Sequence, residues 1–280
     1  MRHPIFAATA AAAIFAVAGA SAQSAAESSI PDFSGYWQKG GEYASTFESP
    51  DSGPGPVVDP HPHPTGGIPW VGDYTNPILK PKAAAAVKAT GDHILAGGED
   101  LPAYSLCWPS GVPQVLNLRE PVEFLQTPTE ITILYQRDHQ MRRVYLNVPH
   151  SKDPPKTWYG ESVGHYEGDT LVVDTIGVLA ESLIAVSEAV GLPNDGDMHI
   201  VERIHLAGPG TLDDDLEITA PHVLQGPWRT TRVFHRNRAD PDIVEGVCMQ
   251  GAFSEGKDAA GNAVFTPLPH DKGIPVAPGR

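Results

Sequence analysis

The chain has 280 residues and a formal net charge of −15 at pH 7, with 34 acidic side chains against 19 basic ones. So large a negative charge argues against nucleic acid and against anionic membrane surfaces as partners. The 28 prolines and 28 glycines indicate a chain rich in turns and loops, and they weigh against a helical bundle.

The N-terminus has the pattern of a secretory signal peptide over residues 1–22. A basic Arg2 precedes an apolar, alanine-rich run over residues 5–17, and Gly19 to Ala22 supply the small residues of a cleavage site. The apolar run is shorter than the roughly 20 residues that a membrane-spanning helix needs. We therefore expect cleavage after Ala22, a mature protein in the periplasm or outside the cell, and no membrane span.

Cys107 and Cys248 are the only two cysteines in the sequence. In an oxidising compartment an isolated pair most simply forms a disulfide. Two distant cysteines are also too few for a thiolate metal site. The sequence therefore predicts a disulfide between Cys107 and Cys248.

Gly35 and Trp37 lie close to the start of the mature chain. This Gly-x-Trp pairing resembles the first-strand motif of lipocalin-like barrels, in which the Trp closes the floor of the barrel and a late Arg packs against it. Arg232 and Arg236 are the two candidates for that Arg. An ordinary buried Trp on the first strand is the alternative interpretation.

Residues 49–77 are dominated by Pro, Gly and Asp, which predict an extended insertion rather than a central strand. His61 and His63 lie in this insertion, where a shared metal ion and a plain surface loop are both open interpretations. A short helix is predicted over residues 80–90, because alanines favour a helix and Gly91 is a typical helix end.

From residue 122 onwards, short alternating segments separated by turn residues predict antiparallel strands. The predicted strands cover residues 122–125, 131–136, 141–148, 163–167, 171–173, 198–206, 212–219 and 228–236. Residues 181–191 are a second candidate helix, and residues 251–280 are predicted to be a surface tail. The pattern favours a mainly β fold over residues 23–280, an antiparallel lipocalin-like barrel, with a β-sandwich as the alternative.

Four segments share a pattern with a known group of proteins. They are Phe124-Leu-Gln-Thr-Pro128, Arg142-Arg143-Val-Tyr145, Gly164-His165-Tyr-Glu167-Gly-Asp-Thr-Leu-Val-Val-Asp174-Thr175 and His199-Ile-Val-Glu202-Arg203. Together they resemble a widespread family of exported bacterial proteins of largely unassigned function, over roughly residues 100–250 of the chain. Tyr166 stands where the family pattern has Trp. The resemblance implies export but no particular reaction.

Three charged residues share strand faces with aliphatic residues: Arg142, Asp174 and Glu202. Because a buried charge must be paired, we predict that these three side chains converge in one interior. The cluster is then either a structural ion-pair network or part of a ligand-binding or catalytic site.

The function favoured is the binding of a small, partly apolar molecule in a barrel cavity. The alternatives are a cofactor-independent acid/base enzyme, such as an isomerase, lyase or cyclase, and a structural or interaction module without a ligand. No dinucleotide, P-loop, serine-hydrolase or HExxH motif is present, so no cofactor or metal is predicted.

Residue candidates follow from these alternatives. The candidates for proton transfer are Glu202, Asp174 and His165. The candidates for ligand contact are Arg142, Tyr145, Trp158, Tyr166, Glu167, His199 and Arg203. His165 and His199 also form a hypothetical metal pair with Glu167, with unrelated surface histidines as the commoner alternative.

Overall fold

The computed structural model describes residues 30–39, 58–59, 71–96, 108–118, 120–137, 140–185, 191–192, 194, 196–236, 253–259 and 263–267. The predicted signal peptide, the two histidines of the proline-rich insertion and both cysteines lie outside these residues. Within the described part of the chain, no helix is both long and apolar enough to cross a lipid bilayer.

Fifteen strands and one α-helix make up the regular structure of the described residues. The strands are β1 (Gly35–Lys39), β2 (Val58–Asp59), β3 (Val71–Gly72), β4 (Val122–Gln126), β5 (Glu130–Tyr135), β6 (Met141–Leu146), β7 (Glu161–Glu167), β8 (Thr170–Ile176), β9 (Ile184–Ala185), β10 (Gly191–Leu192), β11 (His199–Gly208), β12 (Thr211–Thr219), β13 (Trp228–Arg236), β14 (Phe253–Lys257) and β15 (Ala263–Pro267). The helices are α1 (Pro81–Leu95) and a 3-10 helix, Gln114–Asn117.

Nine of the strands close into a barrel in the order β1-β13-β12-β11-β8-β7-β6-β5-β4, and β4 pairs back to β1. Neighbouring strands are antiparallel except β6 and β7, which are parallel. The predicted mainly β, lipocalin-like barrel is confirmed, and the alternative of a sandwich is wrong. Because parallel neighbours need a crossover connection, residues 147–160 must return to the end of the barrel where β6 begins.

The late Arg of the lipocalin-like arrangement is Arg236. Its guanidinium lies 4.3 Å from the centre of the Trp37 ring and donates hydrogen bonds to the carbonyl oxygens of Ser34 at 2.7 Å and Asp32 at 3.2 Å. Trp37 is fully buried. Arg236 therefore combines a cation–π contact with hydrogen bonds to the chain that leads into β1. Arg232, the other candidate, is buried elsewhere on β13.

Two helix predictions need correction. The helix predicted over residues 80–90 does not end at Gly91, since α1 continues to Leu95 and Gly91 is one of its buried residues. The second helix, predicted over residues 181–191, is wrong, because β9 pairs with β10 in this region. Burial of Ile184 and Leu192 overrides the local helix preference.

Gly164 allows the parallel strands β6 and β7 to approach each other. A Cβ atom at this position would lie 2.9 Å from Cγ1 of Val144 and 3.0 Å from the carbonyl oxygen of Val172. The first contact is with β6 and the second with β8, so a larger side chain would press against both neighbouring strands. The glycine of the Gly-His-Tyr-Glu segment is therefore a packing requirement of the barrel wall.

Substitution of this glycine tests the packing argument. Gly164→Ala is expected to lower the free energy of unfolding by about 1–3 kcal/mol, the usual cost of overpacking a core. Gly208→Ala on β11 is the control, since a Cβ atom there meets nothing within 4 Å, and its effect should stay within about 0.5 kcal/mol. Urea unfolding of both variants measures the difference, and equal effects would contradict the argument.

Candidate functional site

A buried ion pair crosses the barrel interior between β6 and β11. The side chains of Arg142 and Glu202 are each 1% exposed. Nη1 of Arg142 donates a hydrogen bond of 2.9 Å to Oε1 of Glu202, and Nη2 donates to Oε2. This paired geometry is the strong form of an arginine–carboxylate contact. The predicted convergence of these two residues is confirmed.

The two strands between β6 and β11 complete the network around Arg142. Nε donates to Oγ of Ser162 on β7 at 3.0 Å, and Nη2 donates to Oγ1 of Thr175 on β8 at 2.7 Å. The two hydroxyl groups also contact each other at 2.9 Å. Burial alone would lower the pKa of Arg142, but the Glu202 carboxylate raises it beyond its ordinary value. The guanidinium is therefore charged and fixed in orientation.

Asp214 on β12 is a second buried carboxyl group of this interior, which the sequence reasoning missed. Burial raises its pKa well above the ordinary value, and the adjacent Glu202 carboxylate raises it further, although Arg142 offsets part of the effect. Asp214 therefore keeps its proton to a higher pH and can donate it to the Glu202 carboxylate. The signal was available, since Leu212 and Leu216 share its strand face and are buried.

Other buried polar groups surround the network. Arg232 lies opposite Asp214 in the register of β12 and β13, and both Arg232 and Lys39 are buried. Tyr135 on β5 is also buried, and this burial raises the pKa of its phenol. Its ring stacks on Tyr159 with 5.9 Å between the ring centres. The interior of the barrel is thus a mixture of aliphatic packing and paired polar groups.

Asp174 does not join this interior, so its predicted convergence with Arg142 and Glu202 is wrong. It points to the outer face of β8, where its Oδ1 accepts hydrogen bonds from Nε2 of His150 and of His199, both at 2.9 Å. Residues 171–173 are buried on both faces, so strand alternation could not tell which face is interior. Thr175 occupies the inward position instead.

His165, Glu167 and Arg203 form a separate group on the outer surface of the barrel. Nη2 of Arg203 donates to Glu167 at 2.7 Å, and His165 contacts the same carboxylate at 3.2 Å. The hydrogen bond from Arg203 lowers the pKa of Glu167, with His165 adding to the effect. His165 and His199 bind different carboxylates. Among the described residues, no three His, Cys, Asp or Glu side chains are placed to hold a metal ion.

Two aromatic residues that were predicted to contact a ligand also make contacts within the protein. The Tyr166 hydroxyl accepts a hydrogen bond from Nε2 of Gln126 at 3.0 Å, and its ring stacks on Phe33 at 6.5 Å. The ring of Trp158 lies 6.0 Å from that of Trp108.

A pocket of ≈ 390 Å³ lies where β6 runs past the start of β7. The pairing of these strands begins at Val144 and Ser162, so the first half of β6 faces residues 155–160 instead of β7. The pocket is lined by Met141, Arg142, Arg143, Tyr145, Pro155, Thr157, Tyr159, Gly160, Glu161 and Ser162. Since Arg142 and Ser162 are buried while Met141 and Tyr145 are exposed, the pocket joins the surface to the ion-pair network.

Comparisons with known proteins do not assign this chain to a family. No protein-family model matches the chain, and no curated protein matches it. The family resemblance of residues 100–250 therefore stays a prediction, and function must be argued from the contacts of the site.

The raised pKa of Asp214 predicts an unusual pH dependence of stability. The native state holds this proton more tightly than the unfolded chain, so the free energy of unfolding falls as the pH rises from about 3.8, the ordinary value, towards the native pKa. Asp214→Asn resembles the protonated acid in shape and should remove this decline. Urea unfolding across the acid and neutral range measures it.

A matched control separates this effect from general charge removal. Asp169→Asn, in the exposed turn between β7 and β8, should leave the decline in place. Glu202, Arg142, Asp215 and Arg232 face or flank Asp214 in both proteins, so their contributions remain in the comparison. Identical pH profiles for the wild type and Asp214→Asn would show that Asp214 is not responsible.

Proposed function

We propose that the protein, exported as its N-terminal sequence predicts, binds a small, partly apolar molecule in the pocket beside β6. The observation that carries the proposal is the composition of this pocket along its depth. The exposed Met141 and Tyr145 line its mouth, and the buried Arg142 and Ser162 line its inner end. Its volume of ≈ 390 Å³ matches that of small-molecule sites.

The inner end of the pocket is organised before a ligand arrives. Four hydrogen bonds from Arg142 fix its guanidinium, and Tyr159 is held by stacking on the buried Tyr135. A preformed site loses little side-chain entropy when a ligand binds, so more of the contact energy appears as affinity. This rigidity supports a binding site rather than a gap in loose packing.

An acid/base enzyme is the second candidate function, and Asp214 is the observation that favours it. A carboxyl group with a raised pKa next to a carboxylate is a common arrangement for proton transfer. A catalytic group must reach its substrate within hydrogen-bond distance, but neither Asp214 nor Glu202 is among the residues that line the pocket. Binding is therefore the better supported function.

Binding of a neutral fluorescent dye tests the proposal. Nile red is expected to bind with a saturable rise in fluorescence, and Tyr145→Ala should weaken its affinity about tenfold, because removal of an aromatic contact of about 1.4 kcal/mol changes Kd by that factor. Tyr74→Ala is the matched control: Tyr74 is 45% exposed and Tyr145 is 42% exposed, but Tyr74 does not line the pocket.

The outcomes separate the candidate functions. Equal affinities of Tyr145→Ala and Tyr74→Ala, or no saturable binding by the wild type, would reject the pocket as the binding site. Turnover of a bound molecule that Asp214→Asn abolishes, with Kd unchanged, would favour the enzyme instead.

A further inference from the structure

We propose that the ligand of this pocket is uncharged, with an aromatic or alicyclic body and a hydroxyl group. The inference rests on the proposed binding function and goes beyond it by assigning the chemical class of the ligand. It follows from the partners that the protein itself supplies to the charged residues of the pocket lining. These residues are Arg142, Arg143 and Glu161.

Each of these charges already has partners within the protein. Glu202 compensates Arg142 through two hydrogen bonds. Nε of Arg143 lies 3.6 Å from Oε1 of Glu130, which is a looser ion pair between two partly exposed side chains. The partners of Glu161 come from the segment that follows β6.

The Glu161 carboxylate is occupied by Ser151 and His150. Its Oε1 accepts a hydrogen bond of 2.7 Å from the Ser151 backbone N–H and lies 3.0 Å from Nδ1 of His150, and its Oε2 accepts from the Ser151 hydroxyl. The hydrogen bond from the Ser151 hydroxyl lowers the pKa of Glu161, and the other contacts lower it further against the opposing effect of burial. The carboxylate is thus ionised and already hydrogen-bonded.

A charged group of a ligand placed at the inner end of the pocket, beside the fully paired Arg142, would therefore have no counter-charge of its own. Transfer of an ion from water into such a site costs free energy that only a specific partner repays. The net charge of −15 opposes anions further by long-range repulsion. An uncharged molecule avoids both costs.

Some hydrogen-bonding sites of the pocket remain available to a neutral group. A hydroxyl has one donor site and two acceptor sites. Ser162 uses two of these sites, with Arg142 and Thr175, and Thr157 uses its donor towards the Gly160 carbonyl oxygen at 3.2 Å. The Thr157 hydroxyl keeps its acceptor sites, so a hydroxyl group of a ligand can donate a hydrogen bond to it. The remaining lining, which includes Met141, Tyr145 and Tyr159, suits a flat apolar body.

Three probes with one shared body test the assignment: cinnamyl alcohol, cinnamate and protonated cinnamylamine. Competition with Nile red at neutral pH is expected to show the alcohol binding at least about tenfold more tightly than either ion, equivalent to about 1.4 kcal/mol. An ion that binds as tightly as the alcohol, or failure of all three probes while Nile red still binds, overturns this inference alone. Failure of Nile red as well overturns the binding function itself.

A variant that removes the ion-pair partner of Arg143 provides the second test. Glu130→Gln removes the partner of Arg143 on the outer surface and leaves the buried network intact, so cinnamate should bind about threefold more tightly while the alcohol is unaffected. Glu123→Gln on β4 is the control, because it removes the same charge from another outward-facing position, whereas the partner of Arg143 is Glu130. Equal cinnamate affinities in the two variants would overturn the argument from charge compensation.

Discussion

A guanidinium that is withdrawn from water must keep a counter-charge and hydrogen-bond partners, and in this barrel three neighbouring strands supply them to a fourth. Arg142 on β6 bonds to Ser162 on β7, Thr175 on β8 and Glu202 on β11. Removing one partner of a buried ion pair typically costs about 3–5 kcal/mol, so the contacts of this one side chain add to the backbone pairing that holds the four strands together. The same network fixes Arg142 and Ser162, two of the residues that line the pocket.

The pocket itself is a consequence of strand direction. Antiparallel neighbours leave a barrel wall continuous, whereas the parallel step from β6 to β7 requires a crossover along the barrel. The crossover places residues 155–160 beside the first half of β6, and the space between them is the pocket. Because Gly164 lets the paired part of β7 approach β6 closely, the wall is tight at one end of the pair and open at the other.

Much of the fold and part of the site follow from the sequence. Alternation of polar and aliphatic residues identified the strands, and it placed Arg142 and Glu202 inside because only one face of each strand is apolar. The same rule misplaced Asp174, since residues 171–173 are buried on both faces. It also applied to Asp214, which the sequence reasoning passed over although Leu212 and Leu216 share its face of β12 and the neighbouring Asp213 and Asp215 lie on the other face. The pocket depends on a parallel pairing between distant segments, which no local pattern encodes.

Methionine methyl NMR tests the central claim, that a small uncharged molecule binds beside β6, most directly. Met141 lines the pocket and is 52% exposed, whereas Met198 is 2% exposed and does not line it. In protein labelled at the methionine methyl groups, with the Met141 signal assigned from Met141→Leu, titration with cinnamyl alcohol should shift that signal saturably and leave the Met198 signal in place. A Met141 signal that does not move, while other methionine signals do, would contradict the account.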